Sequence, residues 1–250
     1  MSAADQPAVM GGLRPGSMGD GTGIGPYVDG MCNLYSLVTP QALIRERMEI
    51  EHDRAGNLPP LPGIFPDQMA PVVRMQDGTR ELAMMRWGFP SPVNKGPQHP
   101  VTNVRNVKSS YWKPWLKTGQ RCLVPVSSFS EYADTKPKKT PIWFGLDDER
   151  PLFAFAGIWR PWKGVRGPKR DDPVEEEHLL YGFLTTEPNG IVGPVHPKAM
   201  PVLLTKPEEW RTWLEAPVEE ALELQRPLPD EEMKIVAEGG RRDGASAHED

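Results

Sequence analysis

Three strand-forming runs follow one another in the middle of the chain, and they constrain the fold more than any other feature of the sequence. They cover residues 121–132, 141–146 and 151–162, with short polar turns between them. Further strands are predicted at 72–75 and 81–87, on either side of the turn Gln76-Asp77-Gly78-Thr79, and at 179–186 and 201–204. Strands in runs, with helices outside them, are typical of an α+β fold.

Four short helices are predicted around these strands. They are expected from Thr39 and Pro40 to about residue 51, after a cap at Ser109 or Ser110, from Thr205 through Leu214, and over residues 218–226. The expected fold is a single α+β domain on a mostly antiparallel, barrel-like sheet with peripheral helices.

The two ends of the chain differ from this middle. Residues 1–30 contain eight glycines and no apolar repeat, which predicts a disordered leader or a mis-assigned start codon. Residues 31–236 are the predicted domain, and residues 237–250 a flexible polar tail. The leader lacks the basic start and apolar run of a signal peptide, so we expect no membrane attachment.

The charge of the chain is unevenly distributed. The net charge is −5 overall, yet between Arg86 and Arg170 there are sixteen Lys and Arg residues against five Asp and Glu. This basic stretch also contains six tryptophans, including Trp87. Cations for phosphates and flat rings for unstacked bases are what a nucleic-acid groove needs. We therefore expect Trp87 and Lys113 to contact DNA, while single tryptophans can equally belong to the core.

The chain contains two cysteines, Cys32 and Cys122. Two cysteines form no disulfide framework, so we expect the protein to be in a reducing cytoplasm. They also lack the spacing of metal ligands, and we expect no metal or cofactor. Cys122 lies in an apolar strand and is predicted to be inert. Cys32 follows Met31, and removal of that methionine would leave a free amine and a thiol on adjacent carbons. Such an aminothiol traps aldehydes: the amine forms an imine and the thiol closes a thiazolidine ring.

A set of motifs recurs here in the order found in the SOS-response-associated peptidase (SRAP) family, and residues 31–236 resemble that family. The motifs are Met31-Cys32-Asn33-Leu34-Tyr35, Trp87-Gly88-Phe89-Pro90, Asn103-Val104-Arg105, Arg121-Cys122-Leu123-Val124-Pro125, Phe129-Ser130-Glu131-Tyr132, Phe155-Ala156-Gly157-Ile158-Trp159, Thr185 to His196, and Met200-Pro201. The chain departs from the common Met-Cys-Gly-Arg opening at Asn33 and Leu34, and from His-x-Arg-Met-Pro around His196.

The resemblance implies a protein that senses abasic sites in single-stranded DNA and traps them as a thiazolidine crosslink. The implied catalytic residues are Cys32 as nucleophile, Asn103 as a sugar or phosphate ligand, Glu131 as a proton shuttle and His196 for sugar ring opening. The implied DNA contacts are Arg105 to phosphate, and Thr185 and Lys198 around the lesion. Taken singly, Asn103 can also satisfy a loop backbone and Arg105 can be a surface cation. Glu131 can pair with a lysine, and His196 can cap a turn before Pro197.

Two other functions are consistent with the same residues. One is a thiol autopeptidase, in which Cys32, Glu131 and His196 release the leader by a peptidase or lyase-like activity on the chain itself. The other is a non-covalent single-stranded DNA-binding module, which needs only the basic, tryptophan-rich middle. The expected partner is single-stranded DNA with abasic sites, bound by a monomer that is cytoplasmic and associated with the bacterial nucleoid when on DNA.

Overall fold

The structure is a computed structural model that describes residues 32–91, 100–166 and 174–244. The strands are β1 (Leu34–Leu37), β2 (His52–Asp53), β3 (Leu61–Ile64), β4 (Met69–Gln76), β5 (Thr79–Trp87), β6 (Asn103–Val104), β7 (Arg121–Val126), β8 (Ser128–Ala133), β9 (Thr140–Gly145), β10 (Phe153–Gly164), β11 (Glu176–Thr186), β12 (Met200–Pro201), β13 (Leu203–Leu204) and β14 (Lys234–Glu238). The helices of the described part are α1 (Gln41–Arg47), α2 (Pro207–Glu215) and α3 (Val218–Leu222), with 3-10 turns at Lys113–Trp115 and Asp230–Glu232. The predicted α+β class, with mostly antiparallel sheet and peripheral helices, is confirmed.

Five strands close into a barrel. They are hydrogen-bonded in the order β11, β10, β7, β4, β5 by antiparallel pairs, and the ring is completed by a parallel pairing of β5 with β11. Arg86 and Trp87 lie opposite Leu180 and Tyr181 in that closing pair. The predicted hairpin turn is confirmed, because Gln76 pairs with Thr79 and both central residues have positive φ, as a tight two-residue hairpin requires.

A second sheet packs beside the barrel, in the strand order β14, β9, β8, β1, β3. It contributes to the same aromatic core: the Tyr35 ring on β1 lies 5.1 Å from Trp87 and 5.7 Å from Phe155. Phe129 on β8 lies 5.9 Å from Phe155. The second sheet therefore places β1 and β8 against the barrel.

The run 121–132, predicted as one strand, is two strands in different sheets. The change of sheet occurs at Ser127, whose N–H donates to Ser36 O at 2.8 Å. Its hydroxyl accepts the N–H of Val38 at 3.0 Å and that of Thr39 at 3.3 Å. The chain is held at this point by the end of β1, and it leaves the barrel to pair with β1 beyond it. The predicted strand at 201–204 is likewise divided into β12 and β13, because Val202 between them hydrogen-bonds Leu184 and Ala156.

Three of the four predicted helices are shorter than expected, whereas the one predicted through Leu214 is present as α2. The first ends at Arg47 instead of residue 51, and Thr39 bonds the Ser127 hydroxyl at 3.0 Å instead of capping it. The helix predicted over 218–226 ends at Leu222. The one expected after Ser109 or Ser110 is a single 3-10 turn containing a proline, which has no N–H to continue a helical ladder.

The tail predicted from residue 237 is packed as far as residue 244. Residues 234–238 form β14 on the edge of β9, and Gly240 O beyond it accepts a hydrogen bond from the buried Trp143 Nε1 at 2.8 Å. The prediction of a flexible tail is therefore wrong for residues 237–244. Residues 245–250 and the predicted leader lie outside the described residues.

Candidate functional site

Cys32 lies just before β1 and is 1% exposed. Its sulfur is 3.6 Å from Leu34 O and 3.9 Å from Ser130 O, and its own carbonyl accepts a hydrogen bond from Asn103 Nδ2 at 3.1 Å. Burial raises the pKa of the Cys32 thiol well above its usual value, and the nearby Glu131 carboxyl raises it further. The sulfur is consequently a protonated thiol between two carbonyl oxygens.

Glu131 lies on β8 and is 4% exposed. Side chains alternate along a strand, so Glu131 shares the inward face of β8 with Phe129. Burial raises the pKa of Glu131 to about 8, and its Oε1 has no hydrogen-bond partner. A carboxyl group in this environment carries its proton at neutral pH and can donate it. The alternative prediction, that Glu131 pairs with a lysine, has no support among the ion pairs of the described residues.

Asn103 and Thr185 reach the same region from two adjacent strands. Asn103 on β6 pairs in parallel with Phe183 on β11, so the side chains of Asn103, Phe183 and Thr185 lie on one face. Phe183 packs on Phe155 with ring centroids 4.5 Å apart. Glu131 and Thr185 thus each follow, by two residues, a phenylalanine that contacts Phe155. Glu131 and Thr185 are both buried. Each is therefore the next residue on its strand face after a phenylalanine of the aromatic core.

His196 follows the turn that precedes β12, the strand that pairs with Thr185 and Thr186. Its Nδ1 lies 2.7 Å from the carbonyl oxygen of Ala199. Because a carbonyl can only accept, Nδ1 carries the hydrogen and Nε2 of the neutral ring carries a lone pair. Nε2 is buried without a hydrogen-bond partner, so it is available to accept a hydrogen bond from a ligand.

The polar atoms of these residues have an unusual property in common. Nine buried side-chain atoms in the described ranges have no hydrogen-bond partner, and four of them are Asn103 Oδ1, Glu131 Oε1, Thr185 Oγ1 and His196 Nε2. Buried polar groups in folded proteins are nearly always hydrogen-bonded. Four unpaired atoms on the residues predicted to be catalytic or lesion-binding are therefore a reason to expect a polar ligand here.

The predicted DNA contacts are divided between the surface and the core. Arg105, Lys113 and Lys198 are exposed, and Arg105 forms an ion pair of 3.2 Å with Glu187. Trp87 is fully buried: its ring stacks on Phe183, and its Nε1 donates to Thr102 O at 3.3 Å. The prediction that Trp87 contacts DNA is therefore corrected, because its side chain is part of the core.

Two residues that contact the candidate site, Ser130 and Gln225, were not predicted from the sequence. Ser130 contacts the Cys32 sulfur through its backbone oxygen, and Gln225 Nε2 donates to the carbonyl oxygens of both Arg105 and Thr185, at 3.1 and 3.0 Å. Gln225 thereby joins the ends of β6 and β11 where their direct pairing stops. The position of Ser130 between Phe129 and Glu131, within a motif of the family, is a signal that could have identified it. No pattern in the sequence indicates a role for Gln225.

In the ranges that the structure describes, no three His, Cys, Asp or Glu side chains are grouped so as to hold a metal ion. The same residues include no helix long and apolar enough to span a bilayer.

Comparisons with known proteins give a consistent result. The abasic site processing protein YoqW of Bacillus subtilis is 29% identical over 192 residues, which are 74% of this chain and 80% of YoqW. The abasic site processing protein HMCES of Gallus gallus is 30% identical over 177 residues, 59% of this chain and 50% of HMCES.

Solved structures show the same fold. A protein from Bordetella bronchiseptica superposes with a TM-score of 0.64 at 20% identity, covering 83% of this chain and 98% of that one. A protein from Bacteroides thetaiotaomicron gives 0.60 at 21% identity, with coverage of 81% and 90%. The family model "SOS response associated peptidase (SRAP)" matches residues 31–237. The chain therefore belongs to the SRAP family.

Proposed function

We propose that this protein processes abasic sites in single-stranded DNA by a covalent crosslink through Cys32. Two relatives, YoqW and HMCES, are named abasic site processing proteins. The observation that carries the proposal for this chain is the buried Glu131 carboxyl beside Cys32, with a pKa of about 8 and an unpaired oxygen. Aldehyde trapping needs a proton donor at the nucleophile, and Glu131 has the required protonation state.

The amine of Cys32 adds to the aldehyde carbon of the opened sugar, and a proton passes from the nitrogen to the alkoxide oxygen to give a carbinolamine. Two proton transfers remain, and Glu131 serves both. Glu131 donates its proton to the hydroxyl, which leaves as water and gives an iminium ion. The thiol then returns a proton to the Glu131 carboxylate while sulfur bonds to the iminium carbon and closes the thiazolidine. One water is released, and Glu131 ends as it began.

The other residues prepare and hold the substrate. His196 Nε2 accepts the proton of the C1 hydroxyl of the closed sugar, the bond from C1 to the ring oxygen breaks as the aldehyde forms, and His196 returns the proton to the freed ring oxygen, which becomes a hydroxyl. Asn103 Oδ1 and Thr185 Oγ1 are free to bind hydroxyl groups of the opened sugar. Arg105 and Lys198 bind flanking phosphates, and Lys113 binds the strand further away. The protein is consumed by the crosslink, so the activity is self-modifying.

The test compares two forms of the chain with one abasic oligonucleotide. A chain that begins at Met31, with that methionine removed, is expected to form an adduct stable to heat and detergent. The chain from Met1, shown by mass to be uncut, has an amide nitrogen at Cys32 and is expected to form only a reversible hemithioacetal. Equal rate and stability of the two adducts would show that the amine of Cys32 is not the reacting group.

The control variant is Cys32→Ser in the chain that begins at Met31. It is expected to lose the stable adduct and keep salt-dependent binding, because cations elsewhere contact the phosphates. Intact mass also separates the alternatives. Loss of residues 1–30 or 1–31 during incubation would support the thiol autopeptidase, whereas DNA binding without adduct or cleavage would support the non-covalent binding module.

A further inference from the structure

The last described residues lie on the outer face of the second sheet. Ser36 pairs with Ser128, and Ser130 pairs with Trp143, across β1, β8 and β9. Alternation places these four side chains on the face opposite to Phe129, and all four are buried. Residues 239–244 cover this face, where Trp143 Nε1 donates to a backbone carbonyl of the segment.

Asp243 attaches this segment to the sheet, and its side chain is 1% exposed. Its Oδ2 accepts hydrogen bonds from Ser128 Oγ at 2.6 Å and Arg150 Nε at 2.8 Å, with Ser36 Oγ at 3.4 Å. Its backbone N–H donates to Pro62 O at 2.8 Å. One residue near the end of the chain therefore connects β1, β8, β3 and the turn after β9.

The serines bound by Asp243 are close to the nucleophile. Ser36 and Ser128 also hydrogen-bond each other at 2.7 Å. Two residues along the same strands, Leu34 pairs with Ser130, and the carbonyl oxygens of that pair are the ones that contact the Cys32 sulfur. Because β1 has only four residues, few backbone hydrogen bonds hold its register on β8. The side-chain link through Asp243 supplies a further constraint.

We propose that Asp243 is a positioning residue for Cys32. By binding the serines of β1 and β8 together, it fixes the register that places the sulfur between the carbonyl oxygens of Leu34 and Ser130. Its importance for crosslinking rests on the proposed function, whereas its effect on the position of Cys32 can be measured without DNA. Asp243 lies beyond residue 237, where the match to the family ends.

The test is alkylation of the full chain by iodoacetamide, with Cys32 and Cys122 followed separately by peptide mass mapping. Asp243→Asn is expected to speed modification of Cys32 by about tenfold and to leave Cys122 in β7 unchanged. Local opening exposes one thiol, whereas global unfolding exposes both. The matched control is Asp148→Asn, which removes an exposed ion pair of 2.6 Å to Lys234 on β14 and should change neither rate.

Equal acceleration of both cysteines in Asp243→Asn, or no acceleration of either, would overturn the proposal. If that variant does not fold, Ser128→Ala removes one donor and keeps the ion pair of Asp243 with Arg150. Selective acceleration of Cys32 in Ser128→Ala supports the proposal, and its absence refutes it. The two proposals can also fail separately. If Cys32 is selectively accelerated but a wild-type chain beginning at Met31 forms no DNA adduct, the proposed function is refuted and the positioning role of Asp243 stands.

Discussion

Replacing Glu131 with Gln should make the protein more stable and less reactive. Burial raises the pKa of Glu131 from 4.5 to about 8, so the folded protein binds this proton more tightly than the unfolded chain does. The stability associated with the proton is fully present below pH 4.5 and is lost as the pH rises to 8, by about 1.4 kcal/mol per pH unit. The whole loss is therefore about 5 kcal/mol. A glutamine side chain at this position would be neutral at every pH, so the variant would not lose this stability.

The measurement is urea unfolding of wild type and Glu131→Gln at a series of pH values from 5 to 8. The free energy of unfolding of the variant should exceed that of wild type by an amount that grows by about 4 kcal/mol over this range. In the chain that begins at Met31, the same substitution should slow adduct formation by roughly 10²-fold, because the proton donor is lost. Glu220→Gln, an exposed position on α3, is the control for removal of a carboxylate.

Parallel pH profiles of stability for wild type and Glu131→Gln would refute this reasoning. They would mean that Glu131 is ionised in the folded protein at neutral pH, with a partner that satisfies it. Glu131 would then be a structural residue, and the proton donor for imine formation would have to be sought elsewhere. An unchanged rate of adduct formation in a variant of higher stability would separate the two parts of the argument and refute the catalytic part alone.

Two further predictions concern the histidine and the paired arginine. His196→Ala should slow adduct formation by roughly 10²-fold, measured by quenched time courses, without changing the mass of the adduct. A rate equal to that of wild type from pH 6 to 8 would mean that His196 has only a structural role in the turn before β12. Glu187→Gln should tighten reversible DNA binding by about 1.4-fold to fivefold at low salt, since Arg105 is released from an exposed ion pair. Unchanged or weaker binding in fluorescence anisotropy would contradict a contact between Arg105 and the strand.

Local sequence pattern was sufficient for some of the fold. The Asp77-Gly78 pair predicts a hairpin because both positions need positive φ, and the hairpin is present. The closure of the barrel could not be predicted in this way. It joins Trp87 to Tyr181 in a parallel pair, and no periodicity within either strand specifies a partner that distant. The change of sheet at Ser127 is similarly determined by β1, far earlier in the chain.

The part of the candidate site that could be predicted is the residue whose reactivity does not depend on its neighbours. A cysteine after a methionine suggests aldehyde trapping irrespective of the fold, and Glu131 and Asn103 are located beside it. Burial was the property that sequence could not give. Trp87 in a basic stretch suggests a base-stacking ring, but its environment is the aromatic core. Asp243 in a polar tail suggests flexibility, but its carboxylate is bound by two serines and an arginine.

The partners of Cys32 are synthesised long after Cys32 itself. Its carbonyl is bound by Asn103, its sulfur contacts Ser130, and the strand that follows it, β1, is connected to Asp243. At roughly 5 to 20 residues per second, translation from Cys32 to Asp243 takes about 10 to 40 s. In a chain that begins at Met31 and loses that methionine, as the proposed function requires, the aminothiol would be open to solvent during this interval, before the partners of Cys32 surround it. On the proposed function, the reactivity of a newly made chain would therefore depend on what its exposed aminothiol meets before the fold encloses it.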